Sequence, residues 1–391
     1  METPKEKPKK RRRGRGEGSI YERKDGRFAA VVNVGFRNGK RVRKTFYGET
    51  RGEVQEELKK ALREQQQGLP VMVERQTVEQ FLTNWLNNAA KPRVRPKTYI
   101  SYTQLTKHHL IPAIGKIELS KLTPQHVQEV LNGIIEKGLS TRTAQLVRAV
   151  LRRALNQAHR WGLVARNVAA LVDPPRVVRR EVQPFTVEEM PKLLRAFERE
   201  RLGPLYVLTL THGLRQGEAL GLRWQDVDLN AKELRVRQAL QWADKKPQFV
   251  EPKTRQSRRT FALADDVVKA LRKHRKAQLE QRLVAGGDWE EHGLVFTTRT
   301  GRPLDGVNVT RDFKRMLRNA GLPVRRFHDL RHTTASLLLY RKVQPRVVAD
   351  LLGHSEIRVT MDLYSHVAPV LQREAAQQMD ALLKAAKARR K

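Results

Sequence analysis

Cysteine is absent from the 391-residue sequence. That excludes disulfide scaffolds, thiolate-ligated zinc and a thiol nucleophile. Long apolar runs are missing too: none approaches the ~20 residues that a membrane-spanning helix needs. Negative charge is scarce, with 41 Asp and Glu against 78 Lys and Arg, a formal net charge of +37. A folded domain has no internal need for that excess. Its usual counterpart is a polyanion, and nucleic acid is the commonest one. The cations are spread along the chain, which suits several nucleic-acid-contacting segments better than one basic tail. No Gly-x-x-x-x-Gly-Lys-Ser/Thr loop occurs. The basic N-terminus leads into Gly14 to Ser19 rather than an apolar stretch, unlike a secretory signal. The expected setting is cytoplasmic and nucleoid-associated, without a membrane partner.

What is present reads as several domains. Residues 1–17 form a basic flexible arm in which Lys9, Lys10, Arg11, Arg12 and Arg13 are consecutive. Such a run cannot bury enough apolar surface to fold alone and suits lying along phosphates. Residues 18–67 predict three short strands, Ser19–Tyr21, Arg27–Val34 and Arg41–Tyr47. Asn38-Gly39 is the hairpin signal between the last two. Arg41 and Arg43 alternate with Val42, so one face can bury while the other meets DNA. A helix over 50–66 follows, with Val54, Leu58, Ala61 and Leu62 on one stripe.

After a linker punctuated by Gly68 and Pro70, residues 76–172 predict four to five helices. Thr77 and Gln80 form a capping box. Pro96 and Pro124 sit near helix starts. The longest pattern runs from Ser140 to Trp161, with Leu146, Val150, Leu151, Leu155 and Ala158 expected inside. Candidate phosphate contacts here are Lys97, Thr98, Lys107, Arg142, Arg148 and Arg152. Asp173-Pro-Pro175 opens a second linker. Thr186 and Glu189 then form a capping box that begins a mixed, mainly helical α+β domain over 182–391. Strands are expected at 234–241 and 258–263. A C-terminal helical pattern carries Leu371, Ala375, Met379, Leu382 and Ala386, either packed on its own domain or passed to a neighbour.

Four short motifs fall in this last region. Gly213-Leu-Arg-Gln-Gly-Glu-Ala-Leu-Gly-Leu-Arg-Trp224 places Arg215 at a helix start with Glu218 one turn on. A guanidinium can grip two phosphate oxygens at once, which lysine cannot. Pro252-Lys-Thr-Arg-Gln-Ser-Arg-Arg-Thr260 holds Lys253 between strands. Phe327-His-Asp-Leu-Arg-His-Thr-Thr-Ala-Ser336 puts His328 and Arg331 three apart. His328 and His332 have the spacing of two helix-borne zinc ligands, but Asp329 stands where the metalloprotease pattern needs Glu, and Arg331 would oppose a metal. Leu-Leu-Gly-His354-Ser then precedes Tyr364. A phenol titrates near pH ~10 and is a poor nucleophile unless cations surround it.

This set, in this order, resembles the tyrosine recombinases, the phage-type integrases. The N-terminal sheet and helix look like an arm-binding domain, and the helical region is similar to the family's core-binding domain. The resemblance implies that Arg215, Arg331 and His354 bind the scissile phosphate, with Glu218 in support. Lys253 or His328 would move protons, and Tyr364 would attack. It further implies a 3′-phosphotyrosyl link that stores the bond energy, so no ATP, no metal and no other cofactor. The implied partners are double-stranded DNA at core and arm-type sites, three further copies of the chain in a homo-tetramer, and a directionality factor. Two rival readings remain: a type IB topoisomerase and a non-catalytic sequence-specific DNA-binding protein.

Overall fold

The computed structural model describes residues 18–37, 40–66, 76–177, 183–251, 258–353, 356–364 and 376–383. The chain divides into two compact units, Met1–Val178 and Arg179–Lys391.

The first unit begins with an antiparallel sheet in the order β1 (Ser19–Glu22), β2 (Phe28–Arg37) and β3 (Lys40–Gly48). The pairing of β2 with β3 begins at Arg37 and Lys40. The hairpin pair Asn38-Gly39 itself lies outside the described residues. Helix α1 (Arg51–Gln66) covers one face of the sheet, burying Val54, Leu58 and Ala61 against Ala30 and Val32. Side chains alternate across a strand. The other face therefore carries Tyr21, Tyr47 and Arg43, all exposed. The Arg23 guanidinium lies 5.0 Å from the Tyr47 ring centre.

The helices that follow start where their caps predict. Thr77 and Gln80 exchange reciprocal bonds ahead of α2 (Val78–Asn84), which widens into a π-helical turn over Trp85–Ala90. Helix α3 (Pro96–Leu105) begins on its proline and runs through a second π-turn into α4 (Ile111–Ile114). Helix α5 (Pro124–Glu136) is capped by Thr123, and α6 (Thr141–Arg160) by Ser140. Their apolar faces meet in one core built on Phe81, Leu82, Trp85, Leu131, Leu151 and Leu155. One expectation fails here. Leu146 is 40 % exposed, whereas Ala144 and Val147 are buried. The stripe through Val147, Leu151, Ala154 and Ala158 advances by three or four residues, and Leu146 falls off its edge.

In the second unit, Thr186 and Glu189 exchange the expected bonds, but they close a turn ahead of α7 (Met190–Glu198). Helix α8 (Gly203–His212) is buried over most of its surface and occupies the centre, against α7, α9 (Gln216–Leu220), α10 (Asp265–Ala285) and α12 (Asp329–Tyr340). The strand expected over 234–241 is two strands of different sheets. A three-stranded antiparallel sheet runs β4 (Val227–Asp228), β5 (Glu233–Arg235), β8 (Thr260–Ala262), while β6 (Ala239–Ala243) and β7 (Lys246–Val250) form a separate hairpin. The chain leaves the first sheet because β6 lies backbone-close on α9. A Cβ on Gly221 would come within 2.6 Å of the Leu240 nitrogen. Helix α11 (Gly306–Asn319) closes the core, and α13 (Pro345–Leu352) and α14 (Ile357–Tyr364) follow α12. Residues 376–383 are helical.

Candidate active site

The site is assembled where α8 ends. Gly213 terminates that helix in the left-handed region, φ 59°, and a Cβ there would meet Leu352 Cδ2 at 2.1 Å. The chain can therefore turn directly against α13 only with glycine at this point. Two residues on, Arg215 stands at the cap of α9 in extended conformation. The Glu218 carboxylate, only 4 % exposed, accepts from the Arg215 backbone N–H at 3.0 Å and from its Nη1 at 2.8 Å.

A second guanidinium reaches the same carboxylate. Arg259 Nη2 donates to Glu218 Oε2 at 2.9 Å and Nη1 to Oε1 at 3.4 Å, with the Arg259 side chain 8 % exposed. Burial alone would raise the Glu218 pKa. The charge and bonds of Arg259, then those of Arg215, outweigh it and hold the carboxylate below its ordinary range.

Arg331 lies in the first turn of α12 and is 2 % exposed. Its Nη1 donates to the Gly213 carbonyl and its Nη2 to the Leu352 carbonyl, each at 2.6 Å. Arg215 Nη2 donates to the next carbonyl, Gly353, at 2.9 Å. These oxygens end α8 and α13, where backbone acceptors lack helical partners and carry the negative end of the dipole. Two arginines 116 positions apart in sequence thus converge on adjacent carbonyls. Burial, then the nearby charges of Arg215 and Arg259, push Arg331 down to about 9. It remains a cation at neutral pH.

His328 sits at the cap of α12 rather than inside the helix. Its residue surface is still exposed, yet its ring is crowded. Burial first, then His332 and Arg331, lower its pKa from 6.5 to about 4, so the imidazole is neutral at pH 7. Its ring meets that of His332 edge-on at 4.8 Å. The turn before it is pinned by Asp329, which accepts from Arg326 at the backbone, 2.8 Å, and at Nη2, 2.7 Å. The Thr333 hydroxyl ties α12 to the chain ahead of α7 by accepting from the Phe185 N–H at 2.9 Å.

Lys253 and His354 lie outside the described residues. Tyr364 is the last residue of α14, which packs on both α12 and α13; its side chain lies outside what is described. Of the other candidates, Lys9, Lys10, Arg11, Arg12 and Arg13 are outside the described residues, as is the Arg41 side chain. Arg43, Lys97, Lys107, Arg142 and Arg152 are exposed, and Thr98 is half-buried. Arg148 is half-buried as well, and its pKa is lowered, chiefly by burial and then by Arg152. The expected set omitted Arg259, Asp329 and Thr333. All three lie inside motifs already singled out, and Arg259 closes the Lys-Thr-x-x-Ser-x-Arg arrangement that begins at Lys253, but its burial against Glu218 is not written in that stretch. Among the described residues, no group of three or more His, Asp or Glu could hold a metal ion, and no helix is long and apolar enough to cross a membrane.

Comparison with known proteins settles the family. The chain is 31 % identical to a tyrosine recombinase XerC-like protein of Caldanaerobacter subterraneus over 91 % of its length and 96 % of the relative's. It is 34 % identical to an integrase of Streptomyces ambofaciens, covering 97 % and 100 % of the two chains. The chain belongs to the tyrosine recombinase family. Residues 183–370 match the phage integrase family and residues 77–135 its N-terminal SAM-like domain. Solved structures share the fold of this recombinase. The Tn1549 transposon integrase in complex with transposon right-end DNA superposes with a TM-score of 0.65 at 20 % identity, over 76 % of this chain and 99 % of that one. A lambda integrase tetramer bound to a Holliday junction superposes with a TM-score of 0.56 at 21 % identity, over 90 % and 96 %. The recombinase is thus an enzyme of site-specific DNA recombination. The topoisomerase and the non-catalytic reading are not favoured by these relatives.

Proposed function

We propose that this recombinase cuts and rejoins DNA through Tyr364, with Arg215 and Arg331 clamping the scissile phosphate. The observation that carries the reading is the convergence of those two guanidinium groups on the adjacent carbonyls Leu352 and Gly353, beside the helix that ends in Tyr364. Attack on a phosphodiester builds negative charge on the non-bridging oxygens. Two preorganised guanidinium donors, joined by His354, stabilise that charge, typically by about 3–4 kcal/mol per donor. Lys253 donates a proton to the departing 5′ oxygen, and neutral His328 is in the right state to accept one from the tyrosine. The product is a 3′-phosphotyrosyl link and a free 5′ hydroxyl.

The same reading gives DNA to the rest of the chain. Residues 76–172 serve as a core-binding domain with Lys97, Thr98, Lys107, Arg142, Arg148 and Arg152 toward phosphates. The sheet face bearing Arg43 and Tyr47, with the basic arm at 1–17, takes arm-type sites. Four copies assemble on the junction, and the direction of the reaction is left to an accessory factor.

A nicked suicide substrate tests the nucleophile. The Tyr364→Phe protein should bind core-site DNA as tightly as wild type while covalent adduct and strand transfer both vanish. Adduct formation at the wild-type level in that variant would refute the assignment.

A further inference from the structure

The active-site carboxylate has a second buried partner, Arg259, whose role the reaction does not explain. Glu218 holds Arg215 at two points, backbone and guanidinium. If Arg215 were its only cation, the pair would satisfy each other, and a phosphate would have to compete with Glu218 for the clamp. Arg259 changes that balance. It reaches both carboxylate oxygens from the residue just ahead of β8, at 2.9 and 3.4 Å. Its own position is set by the sheet: its carbonyl accepts from Val236 N–H at 3.0 Å, the next residue begins β8, and the guanidinium lies 5.0 Å from the Phe261 ring centre. Two guanidinium groups, Arg215 and Arg259, then bracket one carboxylate, and the charge of Arg331 is felt from nearby. The cluster keeps a surplus of positive charge in a desolvated place, which an incoming phosphate can take up.

We infer that Arg259 is a positioning residue for phosphate cleavage: by engaging Glu218 it fixes that carboxylate as the brace that orients Arg215 toward the scissile phosphate. This rests on the reading of Arg215 as a phosphate clamp. Arg259 also stands two residues beyond the segment 252–257 that carries Lys253, so the same anchor marks where that segment joins the sheet.

Single-turnover cleavage of a suicide substrate, with DNA affinity measured in parallel, tests it on Arg259→Met, Arg259→Lys, Glu218→Gln and the Arg259→Met/Glu218→Gln double variant. Arg259→Met should cleave about 10- to 100-fold more slowly with unchanged affinity, the scale expected when a reacting group is misplaced by an ångström. Arg259→Lys should lie between it and wild type, since it keeps the charge but loses the fork. The double variant should be no slower than the slower single, because both act through one link. A wild-type cleavage rate in Arg259→Met, or penalties that multiply in the double variant, would overturn the inference. Should thermal melts show Arg259→Met unfolded, Arg259→Lys decides alone: slower cleavage at unchanged affinity supports the role, and a wild-type rate removes it. Arg215→Lys separates this inference from the reading beneath it. If that variant cleaves normally, the clamp itself is wrong; if it is inactive while the Arg259 variants cleave normally, only the brace is.

Discussion

A buried carboxylate between two arginines, and a third arginine held by carbonyls, cost the fold a good deal of desolvation. Breaking such a pair by removing one partner typically costs about 3–5 kcal/mol, because an uncompensated charge stays behind. The same crowding acts on His328, which is pushed from 6.5 down to about 4 by burial and by the neighbouring His332 and Arg331. The sign of the consequence follows from proton counting. Between about 4 and 6.5 the unfolded chain binds the proton and the folded chain does not. The contribution of His328 is therefore complete above about pH 6.5 and is lost as pH falls toward 4. A proton acceptor for Tyr364 must be neutral, and this depression keeps it so. An NMR titration of the His328 imidazole in the DNA-free protein should give a midpoint well below 6.5. A midpoint above about 7 would leave the ring mostly charged at neutral pH and remove it from the neutral-acceptor role.

At the scale of elements, the site depends on how closely α8 and α13 end against each other. Gly213 makes that approach possible, with φ 59° and no room for a Cβ beside Leu352. Replacing it with alanine forces a left-handed residue, at about 1–2 kcal/mol, and drives Leu352 away. Since the Leu352 carbonyl is what holds Arg331 Nη2, displacement should reach the clamp. The Gly213→Ala protein should melt several degrees lower and lose more cleavage than its residual folded fraction explains. Equal melting temperature and equal cleavage rate would show that the contact is dispensable. The sequence already carries part of this element-level logic. Capping boxes at Thr77 and Thr123, the Ser140 cap and the prolines at 96 and 124 are local signals, and the helices start there. Gly213 and Gly353 likewise end helices as their type suggests. What stayed hidden depends on contacts distant in sequence. The β6–β7 hairpin turns on Asp244 and Lys245, both at positive φ, without the Asn-Gly pair that would announce it. The break between β5 and β6 follows from packing on α9, and the burial of Arg259 follows from Glu218 forty-one positions earlier. No window of sequence around either residue contains its partner.

For the whole molecule, the net charge of +37 works against packing copies of the chain together unless DNA neutralises it. The tetramer proposed above then needs an attractive contact of its own. The helical residues 376–383 present Met379, Leu382 and Leu383 at 57, 64 and 56 % exposure, spaced so that they share one side. That side is what either arrangement of the tail would bury, packing on its own domain or passage to a neighbour, and the second is the one that can be tested on DNA. Such a contact would make tetramer formation, but not half-site binding, depend on the tail. Substituting Met379 and Leu382 together with aspartate places charge where burial is needed and leaves the DNA-contacting candidates untouched. Binding of one copy to a half-site should be unchanged in a mobility-shift assay. On a full recombination substrate, sedimentation should show the tetramer reduced at least tenfold in apparent stability, a loss of about 1.4 kcal/mol or more, and strand exchange should fall with it. A wild-type tetramer in that variant would mean that the tail packs on its own domain and that assembly rests on another surface.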